Sequence, residues 1–303
     1  MGMSIGIGLG ITTQRRRGGG DEPATFATVT ATTGDPILHE DVDGDGLWDA
    51  YEFVGSGSIT LTEGRIGRRL WQGGGAAGGL GNSPRPAAGG GAGWTETDDA
   101  EVEIEAGTFP VVAGAGGPRT TLEGTGADGS VTSAMDVDAP GGGGGGQDSV
   151  GRPGGNGGGG QRDAPVTGDV IDGGLGDPGS KGGDGLPNGA AGGANRNAGG
   201  GGGSGGPGGD GEPGVKSGDG GPGVVSDILG TPRDFGAGGG GAHSALAPTP
   251  TQGAAGGSTA SAGSTGSSGD ATPGSGSGSG GAGGTFAGAG GDGCFIVRIR
   301  RAA

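Results

Sequence analysis

Cysteine, aromatic residues and long apolar runs are scarce in this chain, and each scarcity removes a class of protein. The single cysteine, Cys294, excludes an intrachain disulfide framework. Aromatic residues make up 3% of the sequence and hydrophobic residues 28%, too little side-chain material for a conventional layered core along the whole length. No apolar run approaches the roughly 18 residues of a membrane-spanning helix, so membrane insertion is not expected. Nor do the first residues read as a secretory leader, because no charge precedes their apolar part and Arg15, Arg16 and Arg17 follow it. Basic residues number 17 against 33 acidic ones, and the resulting net charge of −16 argues against nucleic acid and anionic lipid as partners. The two histidines, His39 and His243, are far apart and lack a partner at metal-binding spacing. With no nucleophile, base and orienting residue in a recognisable set, the expectation is a protein that is not an enzyme, with no catalytic residue and no certain cofactor.

Glycine takes the place of what is missing, with 93 residues, concentrated in the tracts Gly141–Gly146, Gly157–Gly160, Gly199–Gly203 and Gly238–Gly241. Among so many glycines, matches to dinucleotide-binding spacing are chance and lack a strand–helix–strand setting. A collagen triple helix needs glycine at every third position without interruption. Here the register runs from Gly173 through Gly185 and meets Asn188, then restarts at Gly199 and meets Ser217. Several short extended segments stacked side by side fit these breaks better than one rod. Such a stack survives only if each buried N–H and C=O pairs with a neighbouring segment, because ordering glycine is entropically costly. The fold class expected is mostly irregular by standard assignment, a bundle of polyproline-II-type glycine helices clamped by a small antiparallel β-sheet. By composition the Ser/Thr/Ala/Gly stretch 253–284 reads equally well as a flexible linker.

Alternation marks the remaining parts. Ser4–Ile11 places Ile5, Ile7, Leu9 and Ile11 on one face with glycine opposite, either a strand that docks on another sheet edge or a frayed end. Phe26–Thr33 is rich in β-branched residues and reads as linker or edge strand. All three tryptophans and Tyr51 lie before residue 100, which places aromatic burial in the stretch 51–138. Ala100–Ala106 alternates with Glu101, Glu103 and Glu105 outward, and Phe109–Val112 is expected to pair beside it. The C-terminal strand places Phe295, Val297 and Ile299 on one face and Cys294, Ile296, Arg298 and Arg300 on the other. Its arginines are expected to face the three glutamates across the sheet. The parts are then a docking strand and linker (1–20), a linker with an acidic loop (21–50), a β-rich entry part (51–138), the glycine body (139–290) and a closing strand (291–303).

Ligand chemistry is suggested by one stretch, D-V-D-G-D-G-L-W-D-A-Y-E from Asp41 to Glu52. It fits a calcium loop with Asp41, Asp43 and Asp45 as the first ligands, Gly46 at the turn, Leu47 offering its carbonyl, and Asp49 and Glu52 closing the set. The flanks are not helical, so a Ca2+ site here would be an isolated loop; the plain alternative is a solvated acidic turn leading into a strand.

The order of these features resembles the glycine-rich domain of tailed-bacteriophage tail fibres, adhesins and related virion surface proteins. The marks are the strand Tyr51–Thr62, the turn Gly73–Gly79, F-P-V-V-A-G-A-G-G at Phe109–Gly117, and the segment Gly126–Gly146. F-G-A-G-G-G-G-A at Phe235–Ala242 and the C-terminal G-A-G-G-D-G-C-F-I-V-R-I complete the set. The resemblance implies a structural virion protein at a tail fibre or tail tip. It further implies a sandwich of glycine helices whose loops touch a host receptor. The N-terminal docking strand and the acidic loop lie outside the family pattern and read as this protein's own device for attachment to other virion proteins, and self-association into a homo-oligomer is a further expectation. Arg162, Arg233, Phe235 and His243 are the candidate receptor contacts, a sparse set beside the aromatic and arginine anchors usual in binding loops. A capsid-surface head fibre and a non-viral extracellular glycine-helix protein are the alternative readings.

Overall fold

A computed structural model describes residues 25–81, 85–161, 170–185, 197–212, 215–243, 254–258, 260–264 and 268–301. The docking residues Ile5, Ile7, Leu9 and Ile11, and Arg162, lie outside them. Eleven strands precede residue 140: β1 (Val29–Thr33), β2 (Ile37–His39), β3 (Trp48–Phe53), β4 (Gly57–Leu61), β5 (Gly64–Ile66), β6 (Arg69–Gln72), β7 (Thr95–Asp98), β8 (Val102–Ile104), β9 (Gly107–Val112), β10 (Thr132–Ala134) and β11 (Val137–Ala139). Three follow: β12 (Val224–Ser226), β13 (Arg233–Phe235) and β14 (Cys294–Arg300).

The expected bundle of polyproline-II-type glycine helices with a small clamping sheet is overturned. The described residues contain no helix, and their strands form four antiparallel sheets. Two of these are five-stranded, in the orders β2-β3-β14-β6-β7 and β1-β4-β9-β10-β11, while β5-β8 and β12-β13 are two-stranded. Alternating apolar and β-branched residues between Val29 and Ala139 supply enough strand for these sheets to enclose the main core between them. Phe53, Trp71, Phe295, Val297 and Ile299 from one large sheet meet Ile59, Leu61, Val111, Ala134 and Ala139 from the other. The Phe295 ring lies 5.5 Å from Trp71 and 6.3 Å from Phe53, and the Trp71 indole N–H donates to the Ala134 carbonyl at 2.9 Å. A buried tryptophan thereby keeps its one polar atom paired.

Strand β14 sits at the centre of its sheet, between β3 and β6, and its two faces enter two different cores. Phe295, Val297 and Ile299 face the first, as their alternation requires. Cys294 and Ile296 face a second with Ala50, Leu70, Ile228 and Phe235, which the β12-β13 hairpin closes from outside. The pairing expected between β14 and the glutamate strand does not occur: β8 pairs with β5, with Arg65 opposite Glu103 and 3.8 Å from the Glu101 carboxylate. Phe109–Val112 likewise pairs with β4 and β10 rather than with β8.

The glycine segments carry no regular secondary structure and join through their backbones. Ala76 N–H donates to Gly91 O, Gly91 N–H to Gly143 O, and Gly143 N–H to Asn156 O, each within 2.9 Å. On another side, Gly221 N–H donates to Gly201 O and Gly201 N–H to Gly239 O, both at 2.8 Å, while Gly239 N–H donates to Gly90 O at 3.0 Å. The entry segments around residues 76 and 90 are thus interleaved with the later glycine body. Chains approach so closely that a Cβ on Gly129 would stand 1.9 Å from Gly74 O. The Ser/Gly run around Ser277 and Ser279, which composition allows as a linker, is buried in this body. Ser279 Oγ accepts from Gly78 N–H at 2.8 Å and donates to Gly288 O. Asn156, also fully buried, donates to Gly93 O at 3.1 Å and accepts from Ser180 N–H at 2.8 Å. Small polar side chains thus satisfy groups that the glycine backbones leave over.

Candidate functional site

Three regions distant in sequence converge at one end of the β14 sheet: the acidic loop between β2 and β3, the tip of the β12-β13 hairpin, and the end of β14. Aspartate and glycine shape the loop. Asp41, Gly44 and Gly46 occupy left-handed conformations, with φ of 51°, 70° and 74°, which these residue types adopt most readily. Asp41 Oδ1 accepts from Gly46 N–H at 2.6 Å, Asp45 Oδ1 from Leu47 N–H at 2.8 Å, and Asp49 Oδ1 from Asp41 N–H at 2.9 Å. These are the short side-chain-to-backbone bonds that make aspartate a turn former.

The remaining calcium candidates are drawn apart. The Leu47 carbonyl accepts from Arg301 N–H at 2.9 Å. Asp43 accepts from Arg298 Nη1 at 2.7 Å, and Asp49 lies 3.3 Å from Arg301 Nε. Glu52 is buried on β3, 2.9 Å from His39 Nε2 and 2.5 Å from Arg233 Nη1. Among the described residues, no three Asp, Glu, His or Cys side chains converge as a metal site. The arrangement is a poor fit to Ca2+: cations and backbone N–H groups of the protein engage one oxygen of each of Asp41, Asp43, Asp45 and Asp49, and both of Glu52. The D-x-D-G-D-G pattern serves as a turn.

Arg298 is the centre of the convergence. Besides Asp43, its guanidinium donates to Ile228 O at 2.7 Å and Asp227 O at 2.9 Å, and its side chain is only 6% exposed. All three arms of the fork point at acceptors, the geometry in which arginine exceeds lysine. The hairpin tip also touches the acidic loop directly. Gly230, at φ 81°, lies so near that a Cβ there would stand 1.8 Å from Val42 O. Next to this, Arg68 donates to Asp99 at 2.7 Å and to Asp227 at 2.6 Å. Its hydrogen bond and charge hold the Asp227 carboxyl below the usual carboxylate range.

Of the candidate receptor contacts, Phe235 is internal and Arg233 is half-buried against it. Phe235 is fully buried in the second core, and Arg233 stacks 4.9 Å from its ring while bonding Glu52 and the Gly274 carbonyl at 3.0 Å. His243 pairs with Asn197 at the end of a glycine segment. The neighbouring Cys294 thiol is fully buried; burial first, and the Glu52 charge second, push its pKa far up, so it carries little thiolate.

The family model of the glycine-rich domain matches residues 53–300. The chain belongs to the glycine-rich domain family. The glycine-rich domain therefore begins at Phe53 and ends at Arg300, on two strands that pair with each other, Phe53 lying opposite Phe295. The acidic loop precedes the glycine-rich domain in sequence and is fastened to it by Arg298 and Arg301. No curated protein matches the chain.

The hairpin was missed in the sequence, although V-V-S-D-I-L-G-T-P-R-D-F from Val224 to Phe235 carries the signal: two short runs around a turn with Asp, Gly and Pro. Arg68 had no such signal, since its two partners come from distant loops.

Proposed function

We propose that the protein is a structural component of a bacteriophage virion, a tail-fibre or tail-tip part that contacts a host receptor. The observation that supports this most is the backbone-packed glycine body, in which segments pair N–H to C=O across the molecule with no side chains between them. Such a body has few mobile groups and deforms little, which suits a part that transmits load and holds loops in fixed positions. Membership of the glycine-rich domain family and the ordered motifs from Tyr51 to the C-terminal strand are consistent with it. With Phe235 internal and Arg233 engaged by Glu52, the receptor contact rests on Arg162 and His243, and contact with other virion proteins rests on Ile5, Ile7, Leu9 and Ile11. Labelled antibody against the protein, imaged on purified particles, is expected to mark the tail; particles free of the protein would refute the assignment. Pre-incubating host cells with purified protein is expected to reduce adsorption, and undiminished adsorption would remove the receptor part.

A further inference from the structure

A cleft of about 510 Å3 lies between the outer strand of the β14 sheet and the β12-β13 hairpin. On one side it is lined by Val224, Val225 and Ser226, three consecutive residues of β12, and on the other by Thr97 of β7. Successive side chains of a strand point to opposite faces, so three lining residues in a row bring the backbone of β12 as well as its side chains to the cleft wall. Neither edge is taken: β12 pairs only with β13, and β7 ends its sheet, among the described residues. Val225 stands 67% exposed at this edge, an apolar contact beside unpaired backbone. Arg68 closes one end, bonded to Asp99 on one wall and Asp227 on the other, whose side chains remain 70% and 65% exposed. Two carboxylates against one guanidinium leave the mouth negative, in a chain of net charge −16.

We infer that this cleft accepts an extended peptide strand from a partner protein, one alternating lysine or arginine with an apolar residue, which adds to the β12 edge. Backbone hydrogen bonds to the open edge provide the binding, Val225 meets the apolar positions, and Asp99 and Asp227 select the basic ones. The inference does not depend on the virion assignment, since any partner with such a segment would serve.

The test is fluorescence anisotropy with the full chain and two labelled hexapeptides, one alternating Lys and Val, the other Lys and Pro. The charges are equal, but proline cannot donate to a strand edge. Saturable binding of the Lys-Val peptide, at least about tenfold tighter than the Lys-Pro peptide, is expected. It should weaken with Val225→Pro and, in a variant that leaves the hairpin backbone untouched, with Asp99→Lys. Equal binding of both peptides would show a charged patch only and overturn the proposal, as would no binding, or binding that neither substitution alters.

Discussion

Arg298 Nη1 lies 2.7 Å from the Asp43 carboxylate although 255 positions separate the two residues. The same guanidinium holds the carbonyls of Asp227 and Ile228, so one side chain ties the acidic loop, the hairpin and the last strand together. Arg298→Ala leaves both carbonyls without their donor and is expected to cost about 2–4 kcal/mol of stability. Arg298→Lys keeps the charge but loses the fork, and should cost less. Asp43→Asn, at a carboxylate 38% exposed, should cost about 1 kcal/mol or less. Urea unfolding of the three variants checks the order.

The glycine body predicts a sharp contrast between two conservative substitutions. A Cβ at position 129 would collide with the Gly74 carbonyl at 1.9 Å, whereas at Gly55 nothing lies within 4 Å. Gly129→Ala should destabilise by about 3 kcal/mol or prevent folding, while Gly55→Ala should be neutral within about 1 kcal/mol. Thermal unfolding of both proteins distinguishes these outcomes from a loosely packed glycine region, in which the two would behave alike.

Cys294 makes stability depend on alkaline pH. Its folded pKa is raised above the ordinary value of 9.0 by burial and by Glu52, so the unfolded chain gives up the proton first. The stabilising contribution is therefore complete below about pH 9 and is lost as pH rises beyond it, by about 1.4 kcal/mol per unit. Cys294→Ala should remove this part of the slope, read as the difference between the two proteins in urea melts across alkaline pH. The native thiol should also resist alkylation until the protein unfolds.

Calcium should leave the protein unchanged. Because Arg298, Arg301 and backbone N–H groups already engage one oxygen of each loop aspartate, adding about 1 mM calcium, enough for weak extracellular-type sites, should not move the unfolding midpoint. A clear upward shift that Asp45→Asn abolishes would show that the ion displaces these partners.

The local part of the architecture was readable from residue order. The two faces of Cys294–Arg300 follow from strict alternation, and each proved to line its own core. Trp71 among the early aromatics marked the position of the main core. The need for every glycine N–H to find a carbonyl on another segment was also foreseeable, and the network around Gly91, Gly143 and Gly201 meets it. The number of strands was not: several are three residues long, such as Thr132–Ala134 and Val137–Ala139, too short for a period to register. The acidic loop was ambiguous because aspartate and glycine in alternation suit both a calcium cage and a left-handed turn, and only the direction of each carboxylate separates them.

Alternation and glycine content are properties of a single segment, so the order of residues alone settles which face of a strand is apolar and where backbones can approach within touching distance. Which segments meet is a property of pairs. Arg298 could have faced Glu101, Glu103 or Glu105 by charge alone; it faces Asp43 because β14 is inserted between β3 and β6 while β8 turns away to β5. Phe235, a loop residue by composition, became interior for the same reason, and Arg233 was drawn onto Glu52: the hairpin that carries them closes the second core. Charge and hydrophobicity specify that such groups must find partners, and the three-dimensional arrangement of strands decides which ones they find.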